Sequence, residues 1–407
     1  MSRQGSWERK IWEDVISTTD NNMSQFGEIL VTNRTPKIEL NSAYGTSLRR
    51  DIVQLVGSGS KNDVNGTLLT GEISISTGAT INSSSTVLSS EVARYIPGYS
   101  AEFGIGMRIP VLPVGEQKVE WGGETLDGLN GFYWREDSTG LQVVRERDGV
   151  EVEVISQSNW NIDKLDGTGP SEYTLDPTRG NIYQVDYTWY GYGNIAFSII
   201  GSVRGVQRPI PVHTIRLGEF SGTSISNPTL RLFSRVSNLG TASNLTAFLG
   251  GRQYSIVGQY IPKYRFTGDT RDSVSVGTSV TPLIAFRPKL GFLDRTVKVD
   301  SYNLLNTGNI PVSISLVLGA TVVGGTWETP TGYTASETAI ESNITLTGIT
   351  GGSKVYNGDL IGSARDGQMG FGDFSIDIPS NTTLVLVGRA FSGSQSCYSG
   401  LRVREEW

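Results

Sequence analysis

The chain has little of several residue types on which chemistry or targeting commonly depends. Among its 407 residues are one cysteine and one histidine. The lone Cys397 excludes an intramolecular disulfide framework and a cysteine-rich metal site. No run of about 18 apolar residues is present, and no apolar segment follows the charged N-terminus, so we expect neither a membrane-spanning helix nor a signal peptide.

The sequence also lacks an excess of positive charge. It contains 34 Lys and Arg against 40 Asp and Glu, and its formal net charge is −6. No basic cluster is interleaved with aromatic residues. Because nucleic-acid binding depends on such a positive field, we do not expect nucleic acid as a partner.

Turn and strand residues are abundant instead. The 50 glycines, with many Ser, Thr, Asn and Val residues, favour strands joined by tight turns over helices. Period-two alternation recurs from residue 26 to residue 250 and predicts an all-β, jelly-roll-like β-sandwich. After Gly250-Gly251 the texture changes, which predicts a second β-sandwich over residues 251–407. The Asp148-Gly149 pair is the strongest hairpin signal.

The stretch around which the chain is organised runs from Ser158 to Ile200. Its first half is rich in Asn, Asp, Gly and Pro, the residues that favour turns. Its second half alternates apolar and polar residues on both sides of Gly191–Gly193, which predicts a β-hairpin. We therefore expect a large ordered loop that leads into two strands.

A specific set of residues recurs in and just after this stretch: Trp160, Asn161, Asp163–Ser171, Thr174–Thr178, Asn181–Gln184, Trp189, Gly191, Gly193, Ile195, Phe197, His213 and Ile215. This set resembles a segment shared by structural proteins of tailed bacteriophages and some large DNA viruses. The resemblance extends over residues 27–250, and more weakly over the C-terminal Arg404–Trp407. It implies a virion surface or tail component and supplies no catalytic mechanism.

One amphipathic helix is predicted, within an N-terminal arm that covers residues 1–25. Its apolar stripe follows helical spacing. A helix this short is not stable alone, so the stripe must dock, either on the chain's own sandwich or as an anchor in another virion subunit. The stripe residues, which we assign to virion anchoring, are Trp7, Ile11, Trp12, Val15 and Ile16.

Three carboxylates lie close together in the central loop. Asp163, Asp166 and Asp176 could hold a calcium ion with backbone carbonyls, although their spacing matches no EF-hand and turn-forming Asp side chains explain them equally well. A pair of these residues acting as the acid and the nucleophile of a glycosidase is a weaker hypothesis. Such carboxylates must flank a cleft at a set separation, and one turn-rich loop gives no sign of that. The only histidine, His213, lies in a predicted strand. A Ser-His-Asp triad could use it, but the sequence contains no G-x-S-x-G nucleophile elbow. We therefore predict no enzyme activity and no cofactor.

Aromatic side chains are the feature with a binding character. They could stack on sugars, fill the core or make subunit contacts. The residues assigned to subunit contact or glycan stacking are Trp134, Trp160, Trp189, Tyr190 and Tyr192.

Two functional classes follow from this reading. In the first, the protein is a capsid-associated fibre, spike or decoration subunit of a bacteriophage, assembled in the host cytoplasm by protein contacts. In the second, it is a receptor-binding tail fibre or baseplate protein that recognises host cell-surface glycans. In both classes we expect a homo-oligomer, by analogy a trimer, that contacts other virion proteins.

Overall fold

A computed structural model of the protein shows two units, which divide between Tyr260 and Ile261. The structure describes residues 34–406 except 47–49, 66–67, 204, 217, 219–221, 262, 293–294, 362–364, 371–375 and 381. The predicted N-terminal helix, with its anchoring residues, lies outside this part of the chain. In the described part, no helix is long and apolar enough to cross a membrane.

The first unit is a sandwich of two antiparallel sheets. Among the described residues, one sheet has eight strands in the order β13-β12-β11-β6-β15-β4-β3, with β1 beside β15, and the other has seven in the order β10-β9-β8-β7-β14-β5-β2. Short 3-10 helices cover Ser42–Tyr44 and Gln157–Asn159. The strands are β1 (Arg34–Leu40), β2 (Asp51–Val56), β3 (Ser60–Asn65), β4 (Leu68–Ser76), β5 (Ser84–Ser89), β6 (Ser100–Arg108), β7 (Lys118–Glu124), β8 (Gly131–Asp137), β9 (Gly140–Arg147), β10 (Val150–Ser156), β11 (Asn181–Tyr187), β12 (Ile195–Val203), β13 (Val206–Ile215), β14 (Arg231–Ser237) and β15 (Thr246–Val257).

Alternation along the strands decides which side chains enter the core. In β6, Phe103 and Ile105 point inward while Glu102 and Gly104 lie on the outer face, as period two requires. Aromatic rings join the sheets: the ring centroids of Trp134 and Tyr183 are 5.2 Å apart, with planes at 63°. This is edge-to-face packing, which adds to the free energy gained by burial.

The predicted hairpins are present. β11 and β12 pair antiparallel from Ile182 with Ile200 to Tyr187 with Ile195. Asp148 and Gly149, which join β9 to β10, both have positive φ, as a type I′ turn requires. The predicted boundary at residues 250/251 falls inside β15, whose pairing continues through Val257, so the two units divide ten residues later than the glycine pair suggested.

The second unit is also a sandwich. Its described strands form one sheet in the order β16-β27-β18-β24, with β25 beside β18, and another in the order β21-β17-β26-β19-β23, with a separate β20-β22 ribbon. A 3-10 helix covers Leu290–Phe292. The strands are β16 (Tyr264–Val276), β17 (Thr281–Pro288), β18 (Val297–Asn306), β19 (Val312–Leu318), β20 (Thr321–Val323), β21 (Ile340–Asn343), β22 (Gly348–Thr350), β23 (Ser353–Ile361), β24 (Arg365–Gly370), β25 (Asp377–Ile378), β26 (Leu384–Ala390) and β27 (Gln395–Glu406).

The all-β prediction, a jelly-roll-like sandwich followed by a second sandwich, is therefore confirmed for the described residues. The core of the second unit holds Cys397 among residues such as Phe286 and Leu386. Burial raises the pKa of the Cys397 thiol to about 11. A thiol held protonated in this way is not a nucleophile at neutral pH.

The outer face of the seven-stranded sheet is closed by its own side chains. One apolar row crosses all seven strands in register: Ile52, Leu88, Phe233, Gly122, Tyr133, Val144 and Val154. The four central side chains of this row, those of Leu88, Phe233, Tyr133 and Val144, are buried although they lie outside the main core. We call the whole row of seven residues the sealed row.

Guanidinium groups lie over the sealed row. Arg235 lies 5.0 Å from the ring centroid of Phe233, and Arg135 lies 5.8 Å from that of Tyr133. Glu120 accepts from Arg135 at 2.7 Å and lies 3.6 Å from Arg235. Burial alone would raise the pKa of Glu120, but the neighbouring cations, including Lys118, hold it below its usual value. These arginines are thus fixed in place by a buried carboxylate.

Candidate functional site

The central loop, residues 157–180, closes one side of the first sandwich. Trp160 packs edge-on against Trp134, with ring centroids 5.7 Å apart, and Leu165 is fully buried. Further along, the Ile109 N–H donates to the carbonyl of Pro177 at 2.9 Å. The loop is therefore a packed part of the fold.

The three loop carboxylates act as turn acceptors. Asp163 is buried, and its two oxygens accept the N–H groups of Leu165 at 2.9 Å and Ser171 at 2.8 Å. Asp166 and Asp176 each accept from the N–H and hydroxyl of the threonine two residues on. Those bonds, to the hydroxyl first, lower the pKa of each of the two exposed carboxyls.

This arrangement gives the loop carboxylates the role of turn formers. Within the described ranges, no group of three or more His, Cys, Asp or Glu residues is arranged to hold a metal ion. The calcium site considered for Asp163, Asp166 and Asp176 therefore has no geometric support, because each carboxylate is directed to its own turn.

His213 ties the loop to β13. Its Nδ1 accepts the N–H of Asn161 at 3.2 Å, and the Asn161 side chain bonds to the backbone of Thr214 in both directions, at 2.8 and 3.0 Å. Burial lowers the pKa of His213, so the neutral, accepting imidazole is favoured near neutral pH. His213 and Asn161 thus hold the loop in place.

The aromatic residues assigned to contact or stacking divide into two groups. Trp134 and Trp160 are buried in the core, so neither can stack on a glycan: alternation along β8 turns Trp134 inward, and the central loop packs Trp160 against it. Trp189 packs partly against the core and donates from Nε1 to the Ile225 carbonyl at 3.1 Å. Tyr190 and Tyr192 are 57% and 64% exposed on the turn between β11 and β12. Only this tyrosine pair is available to a partner.

A groove lies on the outer face of the eight-stranded sheet, and sequence reasoning did not anticipate it. Its volume is about 890 Å³. One row of polar residues and a glycine crosses five neighbouring strands in register, and all its members except Ser198 line the groove: Glu39, Gln253, Gly104, Gln184 and Ser198. The next row is apolar, with Gly106 beside Ile182, then Ile200 and Pro209. We call these the polar row and the apolar row.

Glycines form the middle of the groove floor. A methyl group placed on Gly104 would lie 3.7 Å from Gln253 Nε2, and one on Gly106 would lie 3.5 Å from the Gly250 Cα. These are ordinary contact distances, and neither glycine has positive φ. Neither the backbone conformation nor internal packing therefore requires glycine here.

The charges beside the polar row are paired. Glu102 on β6 accepts from Arg34 at 2.8 Å and from Gln253 at 2.9 Å, and it lies opposite Asp186 on β11. Burial raises the pKa of Glu102, against the opposing effect of Arg34. Burial, together with the Glu102 charge, raises the pKa of Asp186 to about 7. Two carboxyls that lie opposite each other on paired strands do not both ionise easily, because their negative charges repel.

The sequence carried one signal for this groove. Gly104 and Gly106 stand two residues apart in a strand whose other members alternate, so the pattern places both on the face opposite Phe103 and Ile105. Which strands flank those glycines follows from the sheet order alone, and local pattern does not encode it.

Comparisons with known proteins identify no family. No family model matches the chain, and no curated protein matches it. Among solved structures, a legume lectin-like domain from Entamoeba histolytica is 15% identical, covers 51% of this chain and 90% of its own, and gives a TM-score of 0.30.

Two further solved structures are similar to this chain to about the same degree. Lectin I-B4 from Griffonia simplicifolia is 10% identical, with 54% of this chain and 99% of its own covered and a TM-score of 0.34. The cellulose induced protein Cip1 is 12% identical, with 55% and 98% covered and a TM-score of 0.35. Likeness at these scores carries no argument about what this chain does.

Proposed function

We propose that this protein is a non-enzymatic structural component of a bacteriophage virion, a capsid-associated fibre, spike or decoration subunit. The observation that carries the proposal is the use made of the virion-like motif. Asn161 bonds to His213 and Thr214 and so holds the loop on β13, while the Asp163 carboxylate holds two turns within the loop. A motif used in this way suits a rigid building block of a particle.

Assembly is the second part of the proposal. The protein forms a homo-oligomer, a trimer by analogy, and contacts other virion proteins through the N-terminal arm. The exposed Tyr190 and Tyr192 supply a rigid aromatic contact, since the Tyr192 and Gly193 N–H groups both donate to the Trp189 carbonyl at 2.8 Å. Aromatic side chains held in this way contribute contact area at low entropic cost.

A specific observation favours the second candidate function, host-glycan recognition by a tail fibre or baseplate protein. The groove on the eight-stranded sheet offers hydrogen-bonding amides beside an apolar row, as ligand sites do. An assembly subunit has no need of this groove.

The first experiment is a cryo-EM map of the parent particle in which this chain is located. Density on the capsid, with the arm between shell subunits, is the expected result for a fibre or decoration subunit. Density at the distal end of the tail transfers the protein to the receptor-binding class. Absence of the chain from purified particles would refute both.

Removing residues 1–25 tests the arm. We expect a folded, soluble protein that no longer joins the particle, because the apolar stripe supplies the anchor. Incorporation is measured by mass spectrometry of purified particles, and circular dichroism checks the fold. The matched control is Asp166→Asn, a change at an exposed loop carboxyl that keeps the arm, and we expect this variant to join the particle normally. If the truncated protein unfolds, the arm belongs to the core and the anchor hypothesis fails.

A further inference from the structure

We propose that the groove binds a neutral oligosaccharide. A sugar ring lies over the glycine floor at Gly104 and Gly106, with its C–H face against Ile182 and its hydroxyls on Gln184 and Gln253. The biological role of this site rests on the second candidate function above; the binding itself does not depend on where the protein sits in a particle.

The glycine floor is the first step of the argument. Glycine within a strand costs about 0.5–1 kcal/mol relative to alanine, and in strands it often marks a close approach by a ligand or another backbone. A methyl group on Gly104 or Gly106 would make ordinary contacts and displace no neighbour, so internal packing does not explain the absence of a side chain. Gly251 continues the floor, since a methyl group there would have the Leu40 carbonyl oxygen at 4.0 Å as its nearest neighbour. Three such positions on two adjacent strands leave the groove floor without side chains.

The two rows specify the chemistry of the occupant. A glutamine amide offers two donors and an acceptor on one rigid plane, which suits neighbouring hydroxyl groups. The Gln184 and Gln253 Nε2 atoms are fixed by Asp186 and Glu102, both at 2.9 Å, which orients the amides. Beside them, Ile182 is 43% exposed and offers an apolar surface. A ligand with hydroxyls at its edge and a C–H face fits both rows.

The charge balance of the groove favours a neutral ligand. Apart from Glu102 and three arginines that are paired with carboxylates, the charged residues that line the groove are Glu39 and Arg208, which carry opposite charges. Three lining arginines each pair with a carboxylate, namely Arg34 with Glu102, Arg50 with Glu91, and Arg252 with Asp51. At these three arginines a phosphate or sulfate group would compete with a carboxylate that is already in place, whereas a sugar hydroxyl only has to form a hydrogen bond.

An extended peptide fits the floor less well. Peptides bind sheets by adding a strand at a free edge. The floor strand β6 already pairs on one side with β11 and on the other with β15, so its backbone groups are occupied. A sugar needs side-chain partners only.

The test uses the full chain on a printed array of neutral hexose and N-acetylhexosamine oligosaccharides, followed by isothermal titration of the strongest hit. The variant Gly104→Val fills the floor with a residue that strands accept. The control Gly180→Val introduces the same side chain at a glycine in the central loop that also has open space and no positive φ. Circular dichroism and thermal unfolding verify that both variants fold.

We expect the wild type and Gly180→Val to bind equally and Gly104→Val to bind at least about tenfold more weakly, a loss of about 1.4 kcal/mol. A second variant, Ile182→Ala, should weaken binding with no change in fold. Retained binding by Gly104→Val would place the site elsewhere and overturn the proposal. No binding on the array, or capture of an immobilised extended-peptide library in its place, would overturn it as well. The particle map is independent of these outcomes.

Discussion

The two outer faces of the first sandwich contrast sharply, although both belong to antiparallel sheets of similar size. On the seven-stranded sheet, the sealed row is covered by arginines that Glu120 and its neighbours hold in place. On the eight-stranded sheet, glycines occupy the corresponding middle positions and leave a groove. The first face is stabilised from within, whereas the second gives up contacts that a ligand could supply. The binding proposal thus concerns the face that its own side chains do not close.

The largest expected effect comes from removing the carboxylate that fixes the arginines. Glu120→Ala leaves Arg135 buried with one partner fewer, and we expect the free energy of unfolding to fall by about 4 kcal/mol. Urea denaturation measures it. The control is Glu39→Ala, an exposed carboxylate beside the groove, for which we expect a change within about 0.5 kcal/mol. Equal effects from both variants would remove the distinction between the faces.

Truncating the sealed row should come next in size. Phe233 is buried on the outer face, so Phe233→Ala should cost about 3 kcal/mol through lost burial and a residual cavity. Ile182→Ala is the matching apolar change on the outer face of the eight-stranded sheet. It should lower the free energy of unfolding by less than about 1 kcal/mol, because Ile182 is already partly in water. Both are read from the same denaturation curves. A larger loss at Ile182 would show that the groove floor carries the stability.

The neighbouring carboxyls of Glu102 and Asp186, on the outer face of the eight-stranded sheet, predict that stability depends on pH. The pKa of Asp186 lies near 7 in the folded protein, against an ordinary value of 3.8, so between these values the native state binds a proton that the unfolded chain has released. Stability therefore falls as pH rises through this window. The Asp186→Asn variant cannot ionise at this position, so its free energy of unfolding should exceed that of the wild type by about 2 kcal/mol at pH 8 and equal it near pH 4.

Thermal unfolding from pH 4 to pH 8 measures this effect. Asp166→Asn serves as the control, because turn hydrogen bonds lower the pKa of that exposed carboxyl and removing it should give no gain at pH 8. A pH profile of Asp186→Asn parallel to the wild type would show that Asp186 ionises normally in the folded state.

The smallest effect is expected at the groove floor. Gly104→Ala adds a methyl group that would make ordinary contacts and no clash on a strand, so the free energy of unfolding should stay the same or rise by less than about 1 kcal/mol. Denaturation of Gly104→Ala and of wild type under identical conditions checks this. A clear loss would mean that the glycine serves packing, and the argument for a ligand over it would lose its basis.

Local pattern determined the strand content, the two sandwiches and the major hairpins. Alternation also places Gly104 and Gly106 on one face of β6, and the Asn-, Asp- and Gly-rich composition marks residues 157–180 as a loop of turns. These features depend on neighbours in sequence, through turn conformations and the period of two. The boundary inside β15 was missed because a Gly-Gly pair looks the same in a bulge and in a linker.

The pairing of distant strands was decided by tertiary structure alone. The polar row unites β1, β15, β6, β11 and β12, and the sealed row unites seven strands, in an order that no local pattern encodes. The same limit explains the aromatics: Trp134 and Tyr190 belong to similar aromatic runs, yet one is buried between sheets and the other lies exposed on a turn. Sequence sets which face of its own strand a side chain takes, and the fold decides what lies across from it.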